Sequence, residues 1–350
     1  MKKYLIAFIA IIGLVSCGND NNKNNPTPTE ANNDNVVNVY THRFYDTDKK
    51  LIDLFEKKTG IKVNVKKDKA DKLIALLQAE GNKSEADLLV TVDAGRLGYA
   101  KELDLLQAFH SDYITKTIPQ TMIDPENKWV ALTQRARVIA YDKEKVKAEE
   151  LSTYADLTSE KWKGQINVRS SNNIYNQSLM ASIIAHEGVD KATNWASEIV
   201  ANMAREPKGN DRDQVKQIAL GEGSLAIINT YYLGKLLDSK NALEVDAGKK
   251  VGLFFPNQNT TGTHINVSAV GVAKYSPNKE NAIKFIEFLL SPEAQKMYAE
   301  SNHEYPVHPD VKPSELLQSW GNFKKDDLDL GKLYQYNKAA VEAFQVAEWK

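Results

Sequence analysis

The chain has 350 residues, of which 42% are hydrophobic and 26% are charged. This composition is typical of a globular protein larger than one average domain, so it predicts two lobes and excludes a wholly disordered chain and a polytopic membrane protein. Lys and Arg together number 45 and Asp and Glu together 46, which gives a formal net charge of −1. Because nucleic-acid binding needs a basic surface, we expect no nucleic-acid partner.

The N-terminus has the pattern of a secretory signal. Two lysines precede an apolar and small-residue run, Tyr4 to Ser16, that is too short to span a bilayer as a stable helix. The following residue is Cys17, the single cysteine, and the sequence Leu-Val-Ser-Cys-Gly around it resembles a bacterial lipobox. This resemblance implies a signal peptide over 1–16 and a lipidated Cys17 that anchors the protein to a membrane in the periplasm or at the cell surface. The alternative is a buried free thiol in a core helix.

Residues 17–35 are predicted to be a disordered tether, because beyond Cys17 they are mostly Asn, Asp, Thr and Pro. Strands and helices then alternate, a pattern that predicts a parallel, doubly wound α/β sheet in each of two lobes. In the first half the predicted elements are strand 36–40, a helix from Thr47 that ends at Gly60, strand 61–65, helix 69–80 and strand 86–92. Further on they are strand 136–141, strand 165–168, helices 176–186, 191–202 and 213–220, strand 224–229, a helix starting near Tyr232, strand 269–272 and helix 279–290.

Tyrosines stand where predicted strands give way to helices. Tyr45 precedes the first helix, Tyr175 lies at the start of the helix after Val168, and Tyr231 and Tyr232 lie between a strand and the next helix. In open parallel sheets the ligand crevice is at the carboxyl ends of the strands, so we expect the four side chains to converge. Taken singly, a tyrosine of this kind is more often a packing residue.

Four converging phenols indicate a hard, highly charged cation. Ionising a phenol at pH 7 costs about 4 kcal/mol, and a metal that replaces the protons offsets this cost. Calcium and magnesium sites favour carboxylates and carbonyls, and zinc favours His and Cys, which leaves Fe(III) as the expected cargo. Nearby arginines are expected either to balance charge and hold an anion beside the metal or to form ion pairs: Arg43, Arg135, Arg137, Arg169 and Arg205.

The chain resembles the bacterial ferric-iron-binding proteins of ABC importers, the transferrin-like branch of the extracellular solute-binding proteins. The resemblance extends over nearly all of the chain from about Val36. It is carried by the segments 39–48, 91–97, 135–138, 168–179, 204–211, 229–234, 254–258, 285–295 and 304–307.

The resemblance implies a two-lobe, type II periplasmic-binding-protein-like α/β fold whose lobes are joined by a two-stranded hinge and close on the ligand. Lobe one would hold 36–136 plus 269–350, and lobe two 137–268. The metal ligands implied are Tyr45, Tyr175, Tyr231 and Tyr232. Many relatives have His directly before the first tyrosine, whereas this chain has Phe44, so the fifth ligand is open between water, a small anion and His42.

By the same resemblance, the protein is the substrate-binding component of an iron ABC importer, a monomer that delivers Fe(III) to a permease and its ATPase. Ser170, Ser171 and Thr230 keep a small-oxyanion binder open as an alternative, and the fold also hosts polyamine binders. An enzyme is disfavoured because neither a Gly-x-Ser-x-Gly elbow nor a phosphate-binding Gly-x-x-x-x-Gly-Lys loop occurs. A purely structural lipoprotein would need no convergent cleft.

Overall fold

Residues 35–350 are described by a computed structural model of the chain. The predicted signal peptide, Cys17 and nearly all of the predicted tether lie outside the described residues. Within 35–350 no helix is both long enough and apolar enough to cross a bilayer.

Strands and helices alternate through the described chain. The strands are β1 (Val36–Thr41), β2 (Lys62–Lys67), β3 (Leu88–Thr91), β4 (Leu106–Gln107), β5 (Trp129–Asp142), β6 (Ile166–Asn167), β7 (Leu225–Asn229), β8 (Val251–Phe254), β9 (Ile265–Ala273) and β10 (Tyr305–Pro306). The helices are α1 (Asp46–Thr59), α2 (Ala70–Glu80), α3 (Ala94–Glu102), α4 (Asp112–Thr117), α5 (Ile174–Glu187), α6 (Val189–Asn202), α7 (Asp211–Ala219), α8 (Thr230–Leu237), α9 (Ala242–Lys250), α10 (Lys279–Leu290), α11 (Pro292–Ser301), α12 (Glu315–Ser319) and α13 (Leu333–Val346).

Local sequence signals account for several helix ends. At the start of α1, the Asp48 carboxylate accepts a hydrogen bond from the Tyr45 backbone N–H over 2.6 Å, which holds Tyr45 at the helix cap. The helix ends at Gly60, whose φ of 73° is the left-handed conformation that glycine adopts without strain. The predicted end at Gly60 is confirmed, as are the predicted bounds of α10.

The strands form one sheet in the order β2-β1-β3-β9-β5-β7-β6. β1 is parallel to β2 and β3, and β6 is parallel to β7, but β9 and β5 run antiparallel to their neighbours. The sheet is therefore mixed: β1, β2, β3, β6 and β7 form parallel pairs as predicted, whereas the antiparallel β5 and β9 depart from the prediction of a parallel sheet. A strand buried on both faces has the same apolar pattern in either orientation, so the sequence did not reveal the difference.

The long strand β5 divides the sheet into two halves. Its first part, Trp129–Ala136, pairs with β9, and its second part, Arg137–Tyr141, pairs with β7. The Arg137 backbone N–H also donates to the His264 carbonyl just before β9 begins, over 2.9 Å. The two halves are thus connected by two adjacent strands, as the predicted fold class requires.

The first half of the sheet (β2, β1, β3, β9 and the start of β5) is packed by α1 and α10, whose Phe55 and Phe285 rings lie 4.8 Å apart. In the second half (the end of β5, β7, β6 and β8), Leu225 and Ile227 join a core that includes residues of α5 and α6. The C-terminal helix α13 packs on α5, α6 and α3, and its Phe344 belongs to this second core.

Candidate functional site

Three strand-to-helix junctions meet between the two halves of the sheet. Tyr45 caps α1, Tyr175 is in the first turn of α5, and Tyr231 is in the first turn of α8. The Tyr231 hydroxyl donates to the Tyr175 hydroxyl over 3.1 Å, and the Tyr45 ring centroid is 6.4 Å from that of Tyr231. The structure therefore brings together side chains that are up to 186 positions apart in the sequence, and Tyr232 joins them as described next.

Tyr231 and Tyr232 are adjacent in the chain and reach the same site. Strand β7 ends at Asn229, and α8 begins at Thr230 rather than near Tyr232 as predicted. The two residues are thus separated by a helical step rather than by the alternation of a strand. Their rings stack with centroids 4.2 Å apart and an interplanar angle of 29°. Because β7 ends at Asn229, before the two tyrosines, both side chains can face the same site.

Burial favours the protonated form of three of the four tyrosines, Tyr45, Tyr231 and Tyr232. The exposed fraction is 1% for Tyr231 and 7% for Tyr175. Burial raises the pKa of Tyr45, Tyr231 and Tyr232, and the neighbouring Tyr175 raises the pKa of all three further. These phenols therefore lose their protons near neutral pH only to a bound cation.

A cleft gives access to the cluster. It encloses about 650 Å³ and is lined by three of the tyrosines, by backbone and polar groups of the α5 N-terminus, and by basic side chains. Its wall includes His42, Tyr45, Lys69, Arg96, Arg169, Ser170, Tyr175 and Tyr232. A second cavity of about 440 Å³ lies on the other side of Tyr45 and is lined by Arg212, Lys235, Asp238 and His303 among others. A metal ion with a small accompanying anion fits the first cleft by size.

Arg43 is held in a buried ion-pair network. Its guanidinium group contacts Asp48 over 2.8 Å and Glu304 over 2.8 Å, and it also donates to the Ser268 hydroxyl. Its central carbon is 4.9 Å from the Tyr45 ring centroid. With both carboxylates bound, Arg43 supports Tyr45 from behind and has little capacity left to hold an anion.

Arg137 and Arg169 share the buried carboxylate of Asp211. The distances are 2.6 Å from Arg137 and 3.3 Å from Arg169. Arg169 also donates to the Tyr232 hydroxyl over 3.4 Å, whereas Arg137 is bonded to Asn176 behind it. Arg169 is therefore in contact with the tyrosine cluster. The Arg137 side chain makes no hydrogen bond to the four tyrosines, but its bonds to Asp211 and Asn176 stabilise the helices that lie beside them.

The other two arginines differ sharply. Arg135 is 1% exposed, its central carbon is 5.4 Å from the Tyr175 ring centroid, and its Nε and Nη2 atoms find no hydrogen-bond partner among residues 35–350. Arg205 instead bonds to Asn167 and Gln214 and does not line the cleft. Arg135 thus has free donors beside the tyrosines, and the structure does not bring Arg205 to them.

Lys235 is a residue of the site that the sequence analysis missed. Its ammonium nitrogen is 3.8 Å from the Tyr45 ring centroid and 5.2 Å from that of Tyr231. Burial lowers the pKa of Lys235 to about 8. The sequence offered one indication of this contact. Lys235 follows Tyr231 by four positions, and residues separated by one helical turn lie on the same face of a helix.

The ring of Phe44 takes no part as a ligand and instead packs under the Lys67 ammonium group, 3.9 Å from the ring centroid. His42 lines the cleft, and burial lowers its pKa, which favours the neutral form that binds metals. Within residues 35–350, no group of three His, Cys, Asp or Glu side chains is arranged to hold a metal. The donor set at the cleft is therefore dominated by phenols.

Comparison with known proteins defines the family. The model of the bacterial extracellular solute-binding protein family matches residues 50–325. The chain therefore belongs to this family, and the family resemblance found in the sequence is confirmed.

Individual relatives carry iron-related names. The chain is 43% identical to iron uptake protein A1 of Synechocystis sp. PCC 6803 over 98% of this chain and 96% of the relative. It is 48% identical to Trichodesmium IdiA (FutA), solved in complex with iron and citrate ligands, with a TM-score of 0.85 over 90% of this chain and 100% of that one. For the ferric binding protein of Campylobacter jejuni the identity is 42% and the TM-score 0.86, over 90% and 100% of the two chains. The predicted fold class is confirmed.

Proposed function

We propose that this protein captures Fe(III) through the phenolate oxygens of Tyr45, Tyr175, Tyr231 and Tyr232. The observation that carries the proposal is the convergence of four phenols from three separate junctions: three line one cleft, and the fourth, Tyr231, is hydrogen-bonded to Tyr175 and stacked on Tyr232. Three of them have raised pKa values, so only a strongly charged cation ionises them at neutral pH. The relatives named for iron uptake and for ferric binding support the same cargo.

The surrounding cations suit this charge. Four phenolates carry one more negative charge than a ferric ion neutralises, and Arg169 and Lys235 both lie against the tyrosines. The free donors of Arg135 suit a small anion or a water molecule as the remaining ligand, with His42 as the competing donor. A citrate-bound relative makes a carboxylate the first anion to test.

In this function the two halves of the sheet act as lobes, with 36–136 plus 269–350 on one side and 137–268 on the other. Helix α13 reaches across to pack on the second lobe. Opening about β5 and β9 would separate Tyr45 from the other three tyrosines, and closure would return it to the contact that the structure has. The protein is then the monomeric binding component of an iron ABC importer, anchored through Cys17 in the periplasm or at the cell surface, and passes Fe(III) to a permease with its ATPase. It is a binding protein rather than an enzyme.

A small oxyanion is the second candidate ligand. Ser170, Arg96, Lys69 and Arg169 line the same cleft and would favour an anion even without a metal. The cleft lining has one carboxylate, Asp71, beside several basic side chains, so it suits an anion better than a polyamine.

A visible absorption titration of the purified apoprotein with ferric citrate tests the proposal. Phenolate bound to Fe(III) produces a broad charge-transfer band, and we expect this band to saturate at one iron per protein. If the protein is folded but develops no band, it does not bind Fe(III) through tyrosinates. A small oxyanion then becomes the preferred candidate ligand. Isothermal titration with phosphate and sulfate in the absence of iron then tests that second candidate directly.

A further inference from the structure

A histidine side chain lies directly on the backbone of α8, the helix that carries two of the tyrosines. A Cβ atom placed on Gly234 would be 2.6 Å from both Cβ and Cγ of His303. Carbon atoms do not approach this closely without one of them moving. Glycine at position 234 is therefore what permits the contact, and any side chain there would push His303 away.

The contact is one of packing more than of charge. His303 is 6% exposed, and its Nε2 atom is 3.6 Å from the Asp238 carboxylate at the end of α8. The Asp238 side chain is 73% exposed, and ion pairs with so exposed a partner contribute little. The fit of the imidazole ring against Gly234 is thus the main component of the contact.

The two partners belong to opposite sides of the tyrosine cluster. His303 is flanked by Asn302, which donates to Glu304, and Glu304 pairs with Arg43 beneath the Tyr45 ring. This segment follows α11, which packs against α1, the helix that Tyr45 caps. Gly234 lies two residues after Tyr232 on α8. The contact therefore connects the part of the chain that holds Tyr45 with the helix that holds Tyr231 and Tyr232.

We propose that Gly234 and His303 form a closure seat, a contact that sets how closely Tyr45 approaches Tyr231 and Tyr232. His303 is then a positioning residue that acts on the metal through the lobe arrangement and not as a ligand. This inference rests on the proposed tyrosine site for its effect on iron, but the seat itself has a structural consequence that needs no iron.

A double-mutant cycle tests the closure seat, with Gly234→Ala, His303→Ala and the combined variant. Alanine is the better helix former, so Gly234→Ala does not weaken α8 itself. Its methyl group meets His303, and we expect iron to be released to excess chelator about tenfold faster. In the combined variant the obstructing ring is gone, and the release rate returns to within about threefold of the unsubstituted protein. His110→Ala, at an exposed site, is the matched control.

Release is followed by loss of the tyrosinate band, and lobe separation by small-angle scattering of the apoprotein. Gly234→Ala is expected to increase the radius of gyration, and the combined variant to reverse the increase. The closure seat is wrong if Gly234→Ala changes neither the iron-release rate nor the radius of gyration. It is also wrong if adding His303→Ala to Gly234→Ala does not restore the values of the unsubstituted protein. If the unsubstituted protein develops no tyrosinate band, the tyrosine site is wrong. The scattering comparison of the three variants needs no iron and still tests the closure seat.

Discussion

The Tyr231 hydroxyl donates a hydrogen bond to the Tyr175 hydroxyl over 3.1 Å, which joins the first turns of α5 and α8 at the base of the cleft. Two phenols in hydrogen-bond contact are close enough to bind one ion together. Neither oxygen is held by a cationic hydrogen-bond donor in the described residues, so both remain open to a metal.

Replacing either of these tyrosines should abolish tight iron binding and leave the fold intact. Tyr231→Phe or Tyr175→Phe removes a charged oxygen ligand but keeps the packed ring, so we expect the affinity for Fe(III) to fall by orders of magnitude. The melting temperature should change by only a few degrees, because the phenol lost makes about one hydrogen bond. Competition with citrate gives the affinity. Tyr275→Phe, at an exposed position, is the control, and unchanged affinity in both site variants would contradict the ligand assignment.

Iron affinity should rise steeply with pH. The raised pKa values of Tyr45, Tyr231 and Tyr232 mean that the apoprotein holds these protons at pH 7, and the metal must displace them. Protons are products of binding, so lowering the pH weakens binding. We expect the logarithm of the association constant to increase by about one per pH unit for each proton released. Measurement between pH 5.5 and 8, corrected for the protonation of the competing chelator, gives the slope; a slope near zero would exclude phenolate ligands.

Lys235 should assist binding through its charge. Its ammonium group lies 3.8 Å from the Tyr45 ring centroid in a buried setting, where it stabilises nearby phenolates more than it would in water. Lys235→Met keeps the length of the side chain and removes the charge, and we expect about a tenfold loss of iron affinity. Lys235→Arg keeps the charge and should retain most of it. Equal losses of iron affinity in the two variants would show that Lys235 contributes through packing and not through its charge.

Arg169 and Arg205 provide a contrast between an arginine that contacts the tyrosines and one that does not. Arg169→Gln removes the donor to the Tyr232 hydroxyl and should weaken iron binding by about ten- to a hundredfold, since charge-assisted hydrogen bonds contribute about 1.5–3 kcal/mol. Arg205→Gln changes bonds to Asn167, Gln214, Lys208 and Glu222, none of which is one of the four tyrosines, so we expect unchanged affinity. The same chelator competition serves for both, and the reverse order of effects would contradict the geometry.

Asp211 should be critical for stability. Its carboxylate is fully buried, pairs with Arg137 and Arg169, and also accepts from the Asn229 backbone N–H at the end of β7. Asp211→Asn leaves two arginines without their counter-charge, and breaking a buried pair in this way costs about 3–5 kcal/mol. Urea unfolding of the apoprotein measures the loss. Lys350→Gln, which breaks an exposed pair with Glu206, should cost under about 1 kcal/mol.

Much of the fold was predictable because the signals are local. The apolar spacing of α10 and the glycine that ends α1 each depend on a few neighbouring residues, and both were predicted correctly. The tyrosines stood out for the same reason, since each marks a place where one local pattern gives way to another. Their convergence followed from the general rule that such junctions share one edge of a sheet.

Other features depended on residues distant in the chain. The orientation of β5 and β9 is set by which strands lie beside them, and their own sequences are compatible with either direction. Arg43 and Arg205 looked equivalent in the sequence, yet Arg43 pairs with Glu304, 261 positions away, while Arg205 bonds outside the cleft. The Gly234–His303 contact likewise joins two segments with no common pattern. Local sequence patterns are thus enough to predict which helices and strands form and which residues lie at their ends. Which charges meet depends on the packed fold, because side chains far apart in the chain become neighbours only when the helices and strands pack together.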